Sequence, residues 1–505
     1  MATPKVIGTE TEYGITVRNQ PDFNPTLASS LVVNSYRGGR VRVRWSFDEE
    51  TPGRDARGGG HEDHAMAEPD SGLVNVVLTN GARFYVDHAH PEYSSPECVD
   101  PRQAALYDKA GERVVATAVD QAYQILRPGE YMYVHKNNSD GKGNSYGYHE
   151  NYLVDRELPF SDLIRYATTW LVTRQIFTGS GKLGSENGRP PARYQISQRA
   201  DFFEEEVGLE TTLKRPIINT RDEPHGDPSR YRRFHVIIGD ANMSEVQTFV
   251  KLGTTALILA AIEDQAIPDD LALADPVSAT WQLSHDLSLS LPIAMADGSS
   301  ATALELQFRY LEWLSKYAAS NHLEPVWTDV ITEWSSILND LEQDAMLTSD
   351  RLDWTAKLRM LSAFRRRDDL EWHDPKLAMA ALQYHDTDPR KGLAYRLEER
   401  GLLRRIFDDA ELRRATLEPP AETRAYFRGR CVKKYPDSLV AANWDSLVFD
   451  VGEDSLKRVP MMEPLRGNES LVGDLLDTSL DAAALLHALE GAARHSPAPS
   501  RSVDE

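Results

Sequence analysis

The dipeptide Asn80-Gly81 constrains this chain more tightly than any other two residues. It is the strongest two-residue signal for a β-hairpin, and alternating segments flank it at 73–79 and 82–88. A tight turn sets register, and register decides which side chains share a face. On the return strand Arg83, Tyr85 and Asp87 fall on one face, with Phe84 and Val86 on the other, buried one. Upstream, Gly8-Thr9-Glu10-Thr11-Glu12-Tyr13-Gly14 reads as part of a strand over 5–17, with Glu10 and Glu12 pointing the same way. A face lined with carboxylates, an arginine and a tyrosine is costly to bury unpaired. It suits hard cations and, through them, phosphate oxygens. A solvated strand with incidental charge shows the same alternation, so pattern alone leaves both readings open.

At 505 residues the chain exceeds what one hydrophobic core organises, and two or more domains are expected. The formal charge of −22 argues against a general partner among nucleic acids or anionic membranes, whose phosphates would be repelled. It leaves room for a local basic groove. The two cysteines, Cys98 and Cys431, make neither a disulfide framework nor a zinc-ligand spacing, so a reducing cytoplasm is expected. The first dozen residues are polar and acidic, unlike a signal peptide. The longest apolar stretch, 254–262, is too short to span a bilayer and reads as a buried helix.

Residues 46–72 are polar, glycine-rich and aperiodic, which predicts a mobile loop. Its His61-Glu62-Asp63-His64 could bind a metal, but a solvated loop tip is favoured because the segment would first have to be ordered. Asp100-Pro101 opens a helix with an N-cap carboxylate and a proline at the first position. A second helix over 161–177 ends at Gly179-Ser180-Gly181-Lys182, which lacks the spacing of a phosphate-binding loop and follows a helix. His235 heads an apolar strand, with Arg233 and Asn242 as neighbours. Beyond Ser244 the apolar period predicts helices at 244–264, 301–319, 325–347, 350–373 and 394–414. A strand-rich segment containing Trp444 follows, and the Ser/Pro/Ala-rich end predicts disorder.

Strands with paired carboxylates on one face, and His and Arg downstream, resemble the carboxylate-amine ligases of the glutamine synthetase type. Longer stretches narrow this. Gly8-Thr9-Glu10-Thr11-Glu12-Tyr13-Gly14, Asn80-Gly81-Ala82-Arg83-Phe84-Tyr85-Val86-Asp87-His88-Ala89-His90-Pro91-Glu92-Tyr93, His149-Glu150-Asn151-Tyr152 and Ile217-Ile218-Asn219-Thr220-Arg221-Asp222-Glu223-Pro224-His225 are similar to the family of the Pup ligase and the deamidase of Pup. Pup is the prokaryotic ubiquitin-like protein. Asp87-His88-Ala89-His90-Pro91-Glu92-Tyr93 and the inserted loop resemble the deamidase side of that family.

The resemblance implies an α+β fold: a glutamine synthetase-like curved, mainly antiparallel sheet backed by helices, plus a small C-terminal domain. The expected division is a catalytic domain over 1–430, a small domain over 431–494 and a disordered tail over 495–505. The resemblance puts Asp87 at the catalytic aspartate, Glu10, Tyr85 and Glu92 at Mg²⁺-binding positions, and Arg83 and Ser95 at nucleotide-binding positions, with Trp444 against the adenine. Glu12, His149 and His235 join the metal candidates, and Arg221 the nucleotide candidates, by parity and by analogy with the wider fold. Glutamates suit Mg²⁺, whereas a neutral phenol is a poor ligand unless a metal lowers its pKa or a water intervenes.

The implied activity is hydrolysis of a γ-carboxamide: deamidation of Pup's C-terminal glutamine and cleavage of the isopeptide bond between Pup and substrate lysines. ATP (or ADP with phosphate) and Mg²⁺ are implied as cofactors that are not consumed. Pup and pupylated proteins are the implied partners, and a monomer is expected. Because Pup is acidic, Lys214, Arg215, Arg230, Arg232 and Arg233 are expected to line a basic groove. The alternatives are a Pup ligase of the same family and a non-catalytic Pup- or nucleotide-binding homologue.

Overall fold

The computed structural model describes residues 2–495 apart from 21, 39, 42, 48–49, 59–73 and 268–270. The His61-Glu62-Asp63-His64 cluster and the tail from 496 lie outside the described residues.

A seven-stranded sheet organises the protein. Its strands lie in the order Tyr231–Val236, Tyr148–Asp155, Ile7–Glu12, His90–Ser94, Arg83–Asp87, Asn75–Leu78, Arg40–Val41. Every neighbouring pair is antiparallel. One face is apolar and carries helices. Phe84, Val86 and Tyr93 pack there with Val114, Val115 and Ala118 of the helix Pro101–Ala122. Ile7, Tyr152 and Phe234 pack with the helices Phe160–Thr173 and Glu245–Glu263. The alternation of the first strand matches: Ile7, Thr9 and Thr11 are buried, while Gly8, Glu10 and Glu12 are half-buried on the other face. The fold is thus α+β, with an antiparallel sheet backed by helices.

Glu245–Glu263 is long and apolar enough to cross a membrane by length and composition. However, 94% of its apolar window is buried inside the fold, as a core helix requires.

Three expectations need correction. The first strand does not run unbroken over 5–17. It stops at Glu12, and Gly14–Arg18 leaves to pair with Tyr131–His135 in a separate ribbon. Gly14 permits that departure, because a Cβ there would lie 2.3 Å from the Tyr146 hydroxyl. The Asn80-Gly81 turn is also a three-residue loop, not a two-residue one. Val77 pairs with Arg83, the Leu78 N–H donates to Ala82 O, and Gly81 takes φ +81°. A left-handed glycine ending a three-residue loop is the next commonest hairpin solution. Finally, the helix expected at 394–414 is two helices, Leu393–Glu399 and Asp409–Ala415. Gly401 at φ +65° interrupts them, and Asp408 with Glu411 caps the second in a capping box.

The hairpin loop is buried. Asn80 Nδ2 donates to Ala415 O, and Arg428 Nε donates to Gly81 O. The helix Arg424–Lys434 therefore docks on the turn and runs on through residue 430. Its Phe427 and Cys431 share a core with Leu447, Phe449 and Leu476. Trp45 belongs to that core too, because Arg44–Trp45 pairs in parallel with Leu439–Ala442 and completes a four-stranded sheet.

Candidate functional site

The polar face of the large sheet is the candidate active site. Residues directly opposite on antiparallel strands share a face, so the register lays the polar side chains out in rows. One row is Tyr85, Glu92, Glu12. The next is Arg83, Ser94, Glu10, His149. Then come Gly8, Asn151 and His235. Asp87 and His90 face each other at the open end, across the turn His88-Ala89. Arg233, two residues before His235, shares its face. The strands that supply Glu10, Glu12, Tyr85, Asp87, Glu92, His149 and His235 are adjacent, so the fold gathers all seven.

Two groups of donor atoms result. Ligand atoms of Glu10, His149 and His235 lie within 4.8 Å of one another, as do those of Glu12, Asp87 and Glu92. In the first group burial favours the neutral form of Glu10, but the His149 hydrogen bond, followed by His235 and the Arg233 guanidinium, outweighs it and holds the carboxyl well below the usual range. His149 Nδ1 meets Glu10 Oε2 at 3.1 Å, and Arg233 Nη1 lies 3.5 Å from Oε1. Burial, then Arg233, pushes His235 well below its usual value, so the ring is neutral, and its Nε2 is buried without a hydrogen-bond partner. A neutral imidazole with an unsatisfied lone pair beside a carboxylate suits a bound cation.

In the second group burial, followed by the charges of Asp87 and Glu12, pushes Glu92 well above the carboxylate range. Glu12 goes the other way. Burial works against its charge, but the His90 hydrogen bond and the His149 charge hold it at about 2. His90 Nδ1 stands 3.3 Å from Glu12 Oε2, and its ring lies against Tyr146. Three carboxylates this close fit a divalent cation, which would replace the proton on Glu92. Asp87 is the accessible member: its side chain is 39% exposed, whereas Glu92 is buried. Tyr85 keeps its proton, since burial and then Glu92 push its phenol well up, so it can meet a cation only as a neutral oxygen or through a water.

A cavity opens beside Glu10 and extends to Trp444, past Ser95, His225, Arg233 and Arg424. Carboxylate and cationic groups and an aromatic ring line it together. Ser95 Oγ accepts from Thr9 N–H at 2.9 Å. Trp444 packs edge-on against Trp45, ring centroids 5.2 Å apart. Arg83 and Arg221 are not among the residues lining this cavity. Arg83 donates to Asn75 Oδ1 and lies between the rings of Trp45 and Tyr85. Arg221 has a buried Nε without a hydrogen-bond partner.

The five cations expected to line a basic groove do not lie together on one face. Arg232 and Arg233 alternate across their strand: Arg232 Nη1 donates to Leu158 O at 2.7 Å, while Arg233 enters the site. Arg230 is paired with Glu463. Asn151, His90 and His225 are site residues that sequence reasoning did not single out. Asn151 was legible by parity, because it stands two residues after His149 on one strand.

A model of the Pup-ligase protein family matches residues 5–448. This chain belongs to that family. Within the Pup-ligase family it is 51% identical over 501 residues to a depupylase of Acidothermus cellulolyticus, covering 96% of this chain and 99% of that protein. It is 48% identical to a Pup deamidase/depupylase of Mycolicibacterium smegmatis, covering 95% and 98%. A Pup–protein ligase of Kineococcus radiotolerans is 39% identical, covering 80% and 90%. Among solved structures, the complex of Pup with its ligase PafA superposes with a TM-score of 0.80 at 31% identity, covering 98% of each chain. PafA in complex with ADP gives 0.74 at 34% identity, covering 82% and 90%.

Proposed function

We propose that this chain is a Pup deamidase and depupylase. It hydrolyses the γ-carboxamide of a C-terminal glutamine on Pup and the isopeptide bond that joins Pup to lysine side chains. Both are one reaction, with water replacing an amine at the same carbonyl. The observation that carries the reading is the gap in identity: relatives named depupylase or Pup deamidase match at 48–51% over nearly the whole chain, and a Pup–protein ligase at 39%.

The geometry supports roles for individual residues. Asp87 is the reacting carboxylate, either as base toward water or as nucleophile toward the carbonyl. It is the accessible member of the group it forms with Glu12 and Glu92. Glu10, Glu12, Glu92, His149 and His235 would hold Mg²⁺, with Tyr85 as a neutral neighbour. Bound Mg²⁺ supplies positive charge to phosphate oxygens and to a developing oxyanion. Ser95 and Trp444 would seat ATP, or ADP with phosphate, in the cavity beside Glu10, and Arg83 and Arg221 would support it from the cavity's margins. Arg233 lies 3.5 Å from a carboxylate oxygen of Glu10 and of Glu223 and offsets part of the negative charge there. Hydrolysis of an amide needs no phosphoryl activation, so the nucleotide acts as a cofactor. We place the enzyme in the cytoplasm, acting as a monomer on Pup and pupylated proteins.

The test is direct. The protein is incubated with ATP, Mg²⁺ and Pup ending in glutamine, and the amide-to-acid change is followed by mass spectrometry. Conversion supports the reading. Intact glutamine, together with Pup ligation when the glutamate form is supplied, contradicts it.

A further inference from the structure

Asn151 ties together three site residues from two other strands, Glu10 on one and Arg233 with His235 on the other. Its Oδ1 accepts from Arg233 Nη1 at 2.9 Å and meets His235 Nδ1 at 2.8 Å. Its Nδ2 donates to Glu10 Oε1 at 2.9 Å. The direction of this amide is forced. A guanidinium only donates and an ionised carboxylate only accepts. Turning the amide over would set donor against donor at Arg233 and acceptor against acceptor at Glu10. With Oδ1 so placed, the His235 nitrogen that meets it must carry the hydrogen. His235 Nε2 is then the lone-pair nitrogen, and it is the buried atom without a partner. Arg233 Nη1 and His235 Nδ1 lie 3.4 Å apart because both reach the same oxygen.

We propose that Asn151 is a positioning residue that holds Glu10 Oε1 and fixes His235 as its Nδ1–H tautomer, so that an imidazole lone pair and a carboxylate are presented together to a divalent cation. The ring cannot donate toward the site from Nε2 in this state, which disfavours an anion there. The inference rests on the proposed function only for what the bound cation then does. The tautomer is a property of the protein without ligand. Outer-shell partners of this kind are typically worth about tenfold to a hundredfold in metal affinity or activity.

The test uses the full-length protein labelled with ¹⁵N-histidine and long-range ¹H–¹⁵N spectra near neutral pH without added metal, His235 being assigned from the signals lost in His235→Gln. The expected spectrum shows a protonated Nδ1 and an unprotonated Nε2. Asn151→Asp retains an acceptor for Arg233 and His235 but sets a carboxylate against Glu10. It should keep the tautomer and weaken Mn²⁺ binding, used as a probe. Asn151→Leu should lose the tautomer preference, with turnover down about tenfold to a hundredfold. A hydrogen on Nε2 in the unsubstituted protein overturns the inference, as does an unchanged tautomer with full turnover in Asn151→Leu. If Asn151→Leu does not fold, the unsubstituted protein and Asn151→Asp still decide. Failure of the Pup assay with the stated tautomer intact would count against the proposed function alone.

Discussion

Glu12 and Glu92 stand directly opposite each other on adjacent antiparallel strands, and their carboxyls are driven in opposite directions. Like charges at opposed positions destabilise a sheet. His90 and His149 hold Glu12 ionised at about 2, and burial with Asp87 and Glu12 keeps a proton on Glu92. Glu92 therefore carries the proton of the pair while Glu12 stays ionised.

Removing that conflict should change stability with a definite sign. A carboxyl whose folded pKa is raised keeps its stability at low pH and loses it as pH rises through the folded value. Glu92→Gln mimics the protonated form. Without divalent cations its melting temperature should match the unsubstituted protein in mild acid and exceed it at alkaline pH. Mg²⁺ should raise the melting temperature of the unsubstituted protein, by mass action, and much less that of the variant. Thermal melts across pH, with and without Mg²⁺, check both.

Glu97 behaves in the opposite sense. It receives Arg424 Nε at 2.7 Å and also pairs with Arg428, joining the sheet to the helix Arg424–Lys434. Burial works against its charge, but the two guanidinia hold the carboxyl at about 2. This depressed pKa contributes stability above the ordinary carboxylate value, and that contribution is lost as pH falls toward about 2. Glu97→Gln should cost about 3 kcal/mol at neutral pH and flatten the acid limb of the stability curve. Chemical denaturation at several pH values measures it.

Gly111 lets the helix Pro101–Ala122 approach the Glu92-bearing strand closely. A Cβ there would lie 2.5 Å from Tyr93 Cδ1, inside the packed face. Gly111→Ala improves helix propensity but forces a shift against a buried ring. The clash should win, with a loss of about 1–3 kcal/mol in denaturant unfolding.

If the nucleotide is a cofactor, ADP release and product formation should be uncoupled. Many Pup molecules should be deamidated for each ADP appearing. One ADP per product would indicate phosphoryl activation, as a ligase requires.

Local alternation made half the site legible. Glu10 with Glu12, and Arg83 with Tyr85 and Asp87, share faces by the period of a strand alone. The rows were not legible, because Glu10 meets His149 only through pairing of strands 139 positions apart. The break at Tyr13 depends on Tyr146 leaving no room for a side chain at Gly14, which is a tertiary fact. Other signals were present but unread. Asp275-Pro276 and Asp374-Pro375 each cap a helix, Pro276–His285 and Pro375–Gln383, in the same way that Asp100-Pro101 opens the helix that was read. The docking of the Asn80-Gly81 loop on the helix Arg424–Lys434 is likewise a contact between segments far apart in sequence, which no local pattern encodes.

Asp87 tests the account most directly. Asp87→Asn keeps the shape and removes charge and basicity, while Glu10→Ala removes a carboxylate held by Asn151 and His149 beside the cavity that reaches Trp444. Each variant is measured by nucleotide titration and by hydrolysis of glutamine-ended Pup and of a Pup-lysine conjugate. The account predicts that Asp87→Asn loses both hydrolyses together, by at least about a hundredfold, while binding ATP and Pup normally, and that Glu10→Ala weakens nucleotide binding. Asp87→Asn retaining most of its activity, or losing nucleotide binding as fully as Glu10→Ala, would contradict it.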